Sequence, residues 1–364
     1  MQPIHVRATP GHYQCQNGVL DELPDRLKEG GFRNIFIIHG EKSWEAARHY
    51  IPELSQFHAA FSKYRGECSY TEIERQAELG RLHDADLVIG VGGGKVLDVA
   101  KAVANELTIE TALIPTLAST CAACTPLSVI YTDRGEFVRH IVYPRSTHLV
   151  LVEPEILLHS PSSFLRAGIG DTLAKWYEAR SIIETLPSLS VPIQFAYFAA
   201  KSCRDTLLEH GEQALKDQKD GNLSESFIKV IETNLLTGAM VGGFGDQYGR
   251  VAGAHAVHNA LTHQPETHSF LHGEKVAYGI LAQLALEEKW EEIKDLLPFY
   301  ELVELPTSLG ALGIHEEESF KKAESISQYA TKKEESIHIT KHVRKDELLE
   351  AITKLEAKAK ISSK

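Results

Sequence analysis

The chain has 364 residues, 43% of them hydrophobic and 24% charged, with a formal net charge of −12. That length exceeds one ordinary domain and suits two, and the composition is that of a globular chain rather than a disordered or fibrous one. The acidic balance excludes non-specific nucleic-acid binding, which needs a basic surface, but leaves room for an anionic small substrate at a local positive site.

The opening MQPIHVRATPGHYQ lacks the apolar core of a secretory leader, and no apolar run reaches membrane-spanning length. Cys15, Cys68, Cys121, Cys124 and Cys203 are scattered and odd in number. That argues against a disulfide framework. The expectation is a cytoplasmic protein with no membrane and no nucleic-acid partner.

In chain order, Asn34–Gly40 (NIFIIHG) reads as a buried strand and Ser43–Leu54 as the helix after it. Asp86–Gly94 (DLVIGVGGG) is a strand running into glycines, followed by a helix over Lys95–Leu107. Thr111–Thr116, Leu127–Thr132 and His148–Pro154 read as further strands. This alternation predicts a parallel α/β sheet with helices on both faces. After about Ser160 the strands stop. Helical periodicity covers residues near 162–185, 190–218, 222–240, 250–262, 272–298 and 343–360. His159–Phe164 (HSPSSF) makes a helix start, so the expected domains are 1–160, α/β, and 161–364, all-helical.

The strand–glycine–helix stretch Gly90–Lys101 (GVGGGKVLDVAK) suits phosphate binding, because glycines admit close backbone approach and a helix N-terminus offers free N–H groups. It matches neither the dinucleotide fingerprint nor the P-loop. A tight turn needing positive φ is the plainer alternative. Asp98, one helical turn in, either contacts a cofactor or favours the helix dipole. Glu41, at the end of the first strand, is placed to accept from ribose hydroxyls, whereas Lys42 beside it leaves NADP open. The alternative is a surface turn.

Asp171 and Lys175 lie four apart on one predicted helix face. His255 and His258 are three apart on an Ala-rich helix, and His272 opens the next one. One carboxylate with two imidazoles makes a three-ligand set with an open position, as catalytic zinc sites require. Satisfied core histidines are the alternative. His263 and His268 flank a loop composition and read as solvated.

Five blocks, GVGGGKVLD, PTLASTCAACTPLSVIY, GIGDTLAKWYEA, AHAVHNALT and HGEKVAYGIL, occur in this order. Together they resemble the glycerol dehydrogenase branch of the iron-containing alcohol dehydrogenase superfamily over nearly the whole chain. The resemblance implies a dehydroquinate synthase-like fold: a Rossmann-like N-terminal domain, a helical C-terminal domain, and a cleft holding nicotinamide cofactor and metal. It implies Asp171, His255 and His272 as metal ligands. It carries Gly93, Gly94, Lys95 and Asp98 onto the cofactor turn, and Thr116, Ser119, Thr125, Leu127 and Tyr131 onto the rest of the cofactor site. His258 matches a second histidine near the substrate and is a candidate proton relay. A homo-oligomer is also implied.

Two departures bear on substrate. Cys121 stands where glycerol dehydrogenases carry an aspartate that contacts a polyol hydroxyl. Lys175 stands where iron-dependent members carry a histidine, and a protonated lysine cannot ligate a metal. A cation beside a divalent metal is repelled unless an anion lies between them, and a substrate carboxylate would supply it. TCAA…TPLSV with DTLAKWYEA thus resembles the hydroxycarboxylate dehydrogenase A group, which reduces 2-oxo acids. The expectation is a metal-dependent NAD- or NADP-linked dehydrogenase of 2-oxo or 2-hydroxy acids, with His258, Lys175 and Cys121 at the reacting end. A polyol dehydrogenase is the alternative, ahead of a lyase of the dehydroquinate synthase type and of a non-catalytic NAD-binding homologue. For Lys175 the plainer reading is a salt bridge to Glu178; for Cys121 and Cys124, small side chains on a cleft wall. Zinc suits the ligand set, with iron, manganese or nickel open.

Overall fold

The computed structural model describes residues 3–362. It divides into two compact units. One comprises Arg7–Pro161 with Gln218–Ala239; the other comprises 3–6, 162–217 and 240–362.

The first unit carries eight strands: β1 His12–Cys15, β2 Asn34–His39, β3 His58–Lys63, β4 Leu87–Gly92, β5 Glu110–Pro115, β6 Leu127–Tyr131, β7 Phe137–Val142 and β8 Leu149–Val152. Six form one sheet in the order β1-β8-β5-β4-β2-β3, and every pairing in it is parallel. β4 and β8 are buried along their whole length, and β2 and β5 nearly so. That explains their unbroken apolar runs. β2 is followed in the sheet by β3 on one side and by β4 on the other, so the strand order reverses between β2 and β4. Parallel sheets bind ligands outside the carboxyl ends of strands at such a switch point. The two segments that leave it are His39–Glu41 and Gly92–Gly94.

Two expectations about this unit need correction. Leu127–Thr132 is not part of the main sheet; β6 pairs antiparallel with β7 as a separate ribbon, with an irregularity at Ile130/Tyr131. A boundary at residue 160 also puts Gln218–Ala239 in the wrong unit. That stretch joins the α/β unit because Gln218 Nε2 donates to the carbonyls of Leu157 and Ser160 at 3.1 and 3.0 Å, and Asn234 Nδ2 donates to the buried Ala118 carbonyl at 3.0 Å.

The second unit is helical. Its helix Ser162–Ile183 buries Leu165, Ile169, Leu173, Trp176 and Ala179 at three- and four-residue spacing, the stripe of a core-facing helix. Helix His272–Leu286 is buried on all sides from Gly273 to Ala285 and packs against both Ser162–Ile183 and Gly253–Leu261. It ends in a turn where Glu288 takes φ 59°, and a second helix, Trp290–Leu302, follows. Among the described residues no helix is long and apolar enough to cross a membrane.

Candidate metal and cofactor sites

The helix Ser162–Ile183 presents Asp171, Lys175 and Glu178 at i, i+4 and i+7, one face of the cylinder. His272 is the first residue of His272–Leu286 and His255 the third of Gly253–Leu261. Glycines decide how closely these helices meet. A Cβ on Gly273 would stand 1.7 Å from the Ala167 carbonyl oxygen, and one on Gly279 would stand 2.3 Å from that of Ala254. Only bare backbone fits at both crossings, and the crossings carry His272 to Asp171 and to His255.

The result is one cluster. His255 Nε2 lies 3.3 Å and His272 Nε2 3.4 Å from Asp171 Oδ1, and the three donor atoms all lie within 4.8 Å of one another. Asp171 Oδ1 is buried, yet it makes no hydrogen bond of acceptable geometry. Four-coordinate ligands at about 2.0–2.1 Å from a divalent ion stand roughly 3.3 Å apart. The spacing therefore fits atoms that share an ion better than atoms that bond each other. Asp171 is 4% exposed and His255 11%, against 39% for His272, so the open side of the centre is at His272. Burial works to raise the Asp171 carboxyl, but Lys175 and the two imidazoles outweigh it and hold it well below the usual range.

Glu178 supplies what the ligands need from behind. Its Oε1 accepts the N–H groups of Ala252 and His255 at 2.7 and 2.9 Å, and its Oε2 holds His255 Nδ1 at 2.6 Å. One carboxylate thus caps the helix that carries His255 and fixes that ring with Nε2 toward Asp171. Burial tends to lower the His255 imidazole, but Glu178 and Asp171 push it up to about 9. In the sequence Glu178 reads only as a partner for Lys175; its oxygens also accept from His255 and Ala252, and Lys175 Nζ lies 3.9 Å from Asp171 Oδ1. The signal was available in the i, i+7 spacing from Asp171.

His258 is 9% exposed. Its Nε2 meets His272 Nδ1 at 2.9 Å and its Nδ1 meets Asn259 Oδ1 at 3.1 Å. Both nitrogens are therefore engaged, an arrangement that suits support of His272 and equally the relay expected of His258. His263 and His268 are exposed; His263 stacks on Tyr329 and His268 Nε2 meets the Thr262 carbonyl.

In the α/β unit none of the three consecutive glycines has positive φ, so the tight-turn alternative does not explain them. Space does. A Cβ on Gly93 would lie 2.8 Å from Leu117, and one on Gly94 would lie 3.3 Å from Thr120. The segment carrying Thr116, Ser119 and Cys121 thus crosses the glycine turn. Gly93 gives the helix Gly94–Leu107 no side-chain cap, which leaves first-turn N–H groups open to an anion. Ser43 Oγ donates to the Val91 carbonyl at 3.0 Å, tying the turn after β2 to β4.

The remaining residues expected at the cofactor have partners of their own. Glu41 is exposed and pairs with Lys63 at 2.7 Å. Lys95 pairs with Glu67 at 2.6 Å and lies over the Tyr131 ring at 5.3 Å. Asp98 is buried, accepts the Val129 N–H at 2.9 Å and faces Lys101 Nζ at 2.8 Å. Thr125 Oγ1 donates to the Cys121 carbonyl at 2.9 Å, and Leu127 is half-buried. Lys101, absent from the sequence reading, also donates to the carbonyls of Ala122, Thr125 and Leu127. A single buried ammonium gathers the strand-to-loop segment behind Cys121.

The family model for iron-containing alcohol dehydrogenase matches residues 10–154. Hydroxycarboxylate dehydrogenase A of Escherichia coli is 42% identical over 314 residues, covering 86% of each chain. The chain belongs to the iron-containing alcohol dehydrogenase family. A glycerol dehydrogenase of Thermotoga maritima is 39% identical and covers 90% of each chain. The crystal structure of a probable glycerol dehydrogenase from Sinorhizobium meliloti superposes with a TM-score of 0.87 at 30% identity, over 97% of this chain and 98% of that one. The protein is an NAD(P)-dependent, metal-dependent oxidoreductase acting on the CH–OH group of a small polyol or hydroxy acid, in the glycerol dehydrogenase branch of this family.

Proposed function

We propose that the substrate is a small polyol of the glycerol type, oxidised at one hydroxyl. The observation that carries this over an oxo acid is the near full-length likeness to glycerol dehydrogenases, at 39% identity over 90% of each chain in one case and a TM-score of 0.87 in another. A second reading, a 2-hydroxy or 2-oxo acid, keeps two supports: Cys121 removes a carboxylate from the expected polyol contact, and one relative bears the hydroxycarboxylate name.

When bound, a divalent ion supplies a Lewis acid for the C–O bond, and the nicotinamide supplies the hydride chemistry. We assign Asp171, His255 and His272 to hold the ion, zinc in the first instance. Asp171 contributes the negative charge. Glu178 keeps the His255 lone pair at Nε2 aimed into the centre. Lys175 limits the charge that Asp171 presents and orients its carboxylate along the helix face. Gly93 and Gly94 hold the pyrophosphate through bare N–H groups, and Glu41, exposed beside them, accepts from the adenosine ribose, which favours NAD over NADP. Thr116, Ser119, Thr125, Leu127 and Tyr131 line the rest, with Lys95 and Cys121 at its edge.

A paired assay on zinc-loaded protein tests the substrate: NAD reduction with glycerol against NADH and NADPH oxidation with 2-oxobutanoate and 2-oxoglutarate. The polyol reading expects glycerol turnover to dominate. Clear turnover on the oxo acids with little on glycerol overturns it.

A further inference from the structure

The two histidines of the centre are supported unequally, and the difference points to a residue far from the metal-binding motifs. His255 has a carboxylate directly on Nδ1. His272 instead begins a chain. Its Nδ1 meets His258 Nε2 at 2.9 Å, His258 Nδ1 meets Asn259 Oδ1 at 3.1 Å, and Asn259 Nδ2 donates to Glu335 Oε2 at 3.0 Å. We propose that Glu335 is a positioning residue for the metal centre, setting through Asn259 and His258 the tautomer and ring orientation of His272. The proposal rests on the reading of Asp171, His255 and His272 as metal ligands.

The direction of the chain follows from its last member. An ionised carboxylate only accepts, so Asn259 must turn its amide N–H toward Glu335 and its oxygen toward His258. An amide oxygen also only accepts, so His258 carries its proton on Nδ1 and leaves Nε2 as an acceptor. His272 then donates from Nδ1, and its own lone pair is left on Nε2, the atom that faces Asp171 at 3.4 Å. Each link permits one arrangement once Glu335 is in place. Without Glu335 the amide is free to turn over, His258 can take the other tautomer, and His272 loses its bias.

The surroundings hold Glu335 to the task. It is half-buried, and next to it Ser336 Oγ donates to the Ala252 carbonyl at 2.6 Å, at the start of the helix that carries His255, His258 and Asn259. His258 packs edge-on against His272 with ring centroids 4.1 Å apart, so a change of tautomer at His258 is felt at once by the ligand ring. Partners that orient a metal-bound histidine are typically worth about 10–100-fold in metal affinity, and a chain of two intermediates belongs near the lower end.

The test is zinc affinity of the full-length chain, read by competition with a chromophoric chelator, for wild type, Glu335→Ala, Glu335→Gln, Asn259→Leu and the Asn259→Leu/Glu335→Ala double variant. Circular dichroism of the metal-free proteins controls for folding. Glu335→Ala and Asn259→Leu are expected to weaken zinc about tenfold. Glu335→Gln, which keeps an acceptor oxygen, is expected to lose less. The double variant is expected to lose no more than Asn259→Leu alone, because both changes cut one chain. Unchanged affinity in Glu335→Ala, or losses that add in the double variant, overturns the proposal. Wild-type protein that binds no zinc overturns the metal reading itself, a separate outcome.

Discussion

At the metal centre Asp171, His255, His272, Glu178 and His258 bring five polar side chains together in a helical unit, with His272 on the open side. At the glycine turn Gly92, Gly93 and Gly94 clear side chains away, and what is left to a ligand is backbone. The first region works by holding charge where water does not screen it; it fails when a partner is removed. The second works by space and open N–H groups; it fails when atoms are added. Lys101 is the exception that joins the two styles, a buried charge in the α/β unit whose partners are mostly backbone carbonyls.

That contrast can be broken at several points. The largest stability effect is expected at the exception. Lys101→Met leaves Asp98 buried without its cation and takes the ammonium from the Ala122, Thr125 and Leu127 carbonyls, at a cost of about 3–5 kcal/mol. Urea unfolding checks it, and zinc affinity should stay unchanged, because Lys101 belongs to the unit without the metal centre. A comparable loss of zinc binding would show that the two regions are not independent.

Next comes Glu178→Gln. The amide cannot both accept two N–H groups and hold the His255 ring as the carboxylate does, so zinc affinity is expected to fall by about 10–100-fold. Competition with a chelator reads it. Affinity within twofold of wild type would remove Glu178 from the centre.

Smaller again is the addition of one methyl. Gly93→Ala places a Cβ 2.8 Å from Leu117, and the strain of such overpacking starts at about 1 kcal/mol. NADH binding, followed by fluorescence titration, is expected to weaken roughly tenfold, with zinc content unchanged. The smallest effect belongs to Glu41→Gln. It is exposed, so stability should hold, while the KM for NAD rises by only a few-fold, about one hydrogen bond. A KM that does not move returns Glu41 to the surface turn.

The sequence showed the parts of the fold that are apolar and continuous. β2, β4, β5 and β8 are buried runs and were readable as such. β3 was not: His58–Lys63 lies at the sheet edge, exposed or half-buried at every position but Ser62, with no long apolar run to mark it. β1 is four half-buried residues paired only to β8, too short to stand out. β7 is largely exposed, which hid the ribbon and made β6 look like a sheet strand. The metal ligands were legible through their motif blocks. Their supports were not, because Glu178 meets His255 77 residues away and Glu335 meets Asn259 76 residues away. No local spacing encodes such pairs; only the helix crossings create them. Lys101 was hidden differently, inside a helix where a lysine normally reads as solvated.

The most direct test of the central claim is metal content and turnover of wild-type protein beside Asp171→Asn, each dialysed against chelator and then re-supplied with zinc. The account predicts that wild type regains about one ion per chain together with its NAD-linked activity, since the three ligands form a single centre. Asp171→Asn should regain neither, because the buried negative charge that offsets the ion is gone. Full activity in Asp171→Asn after chelator treatment would contradict the metal assignment.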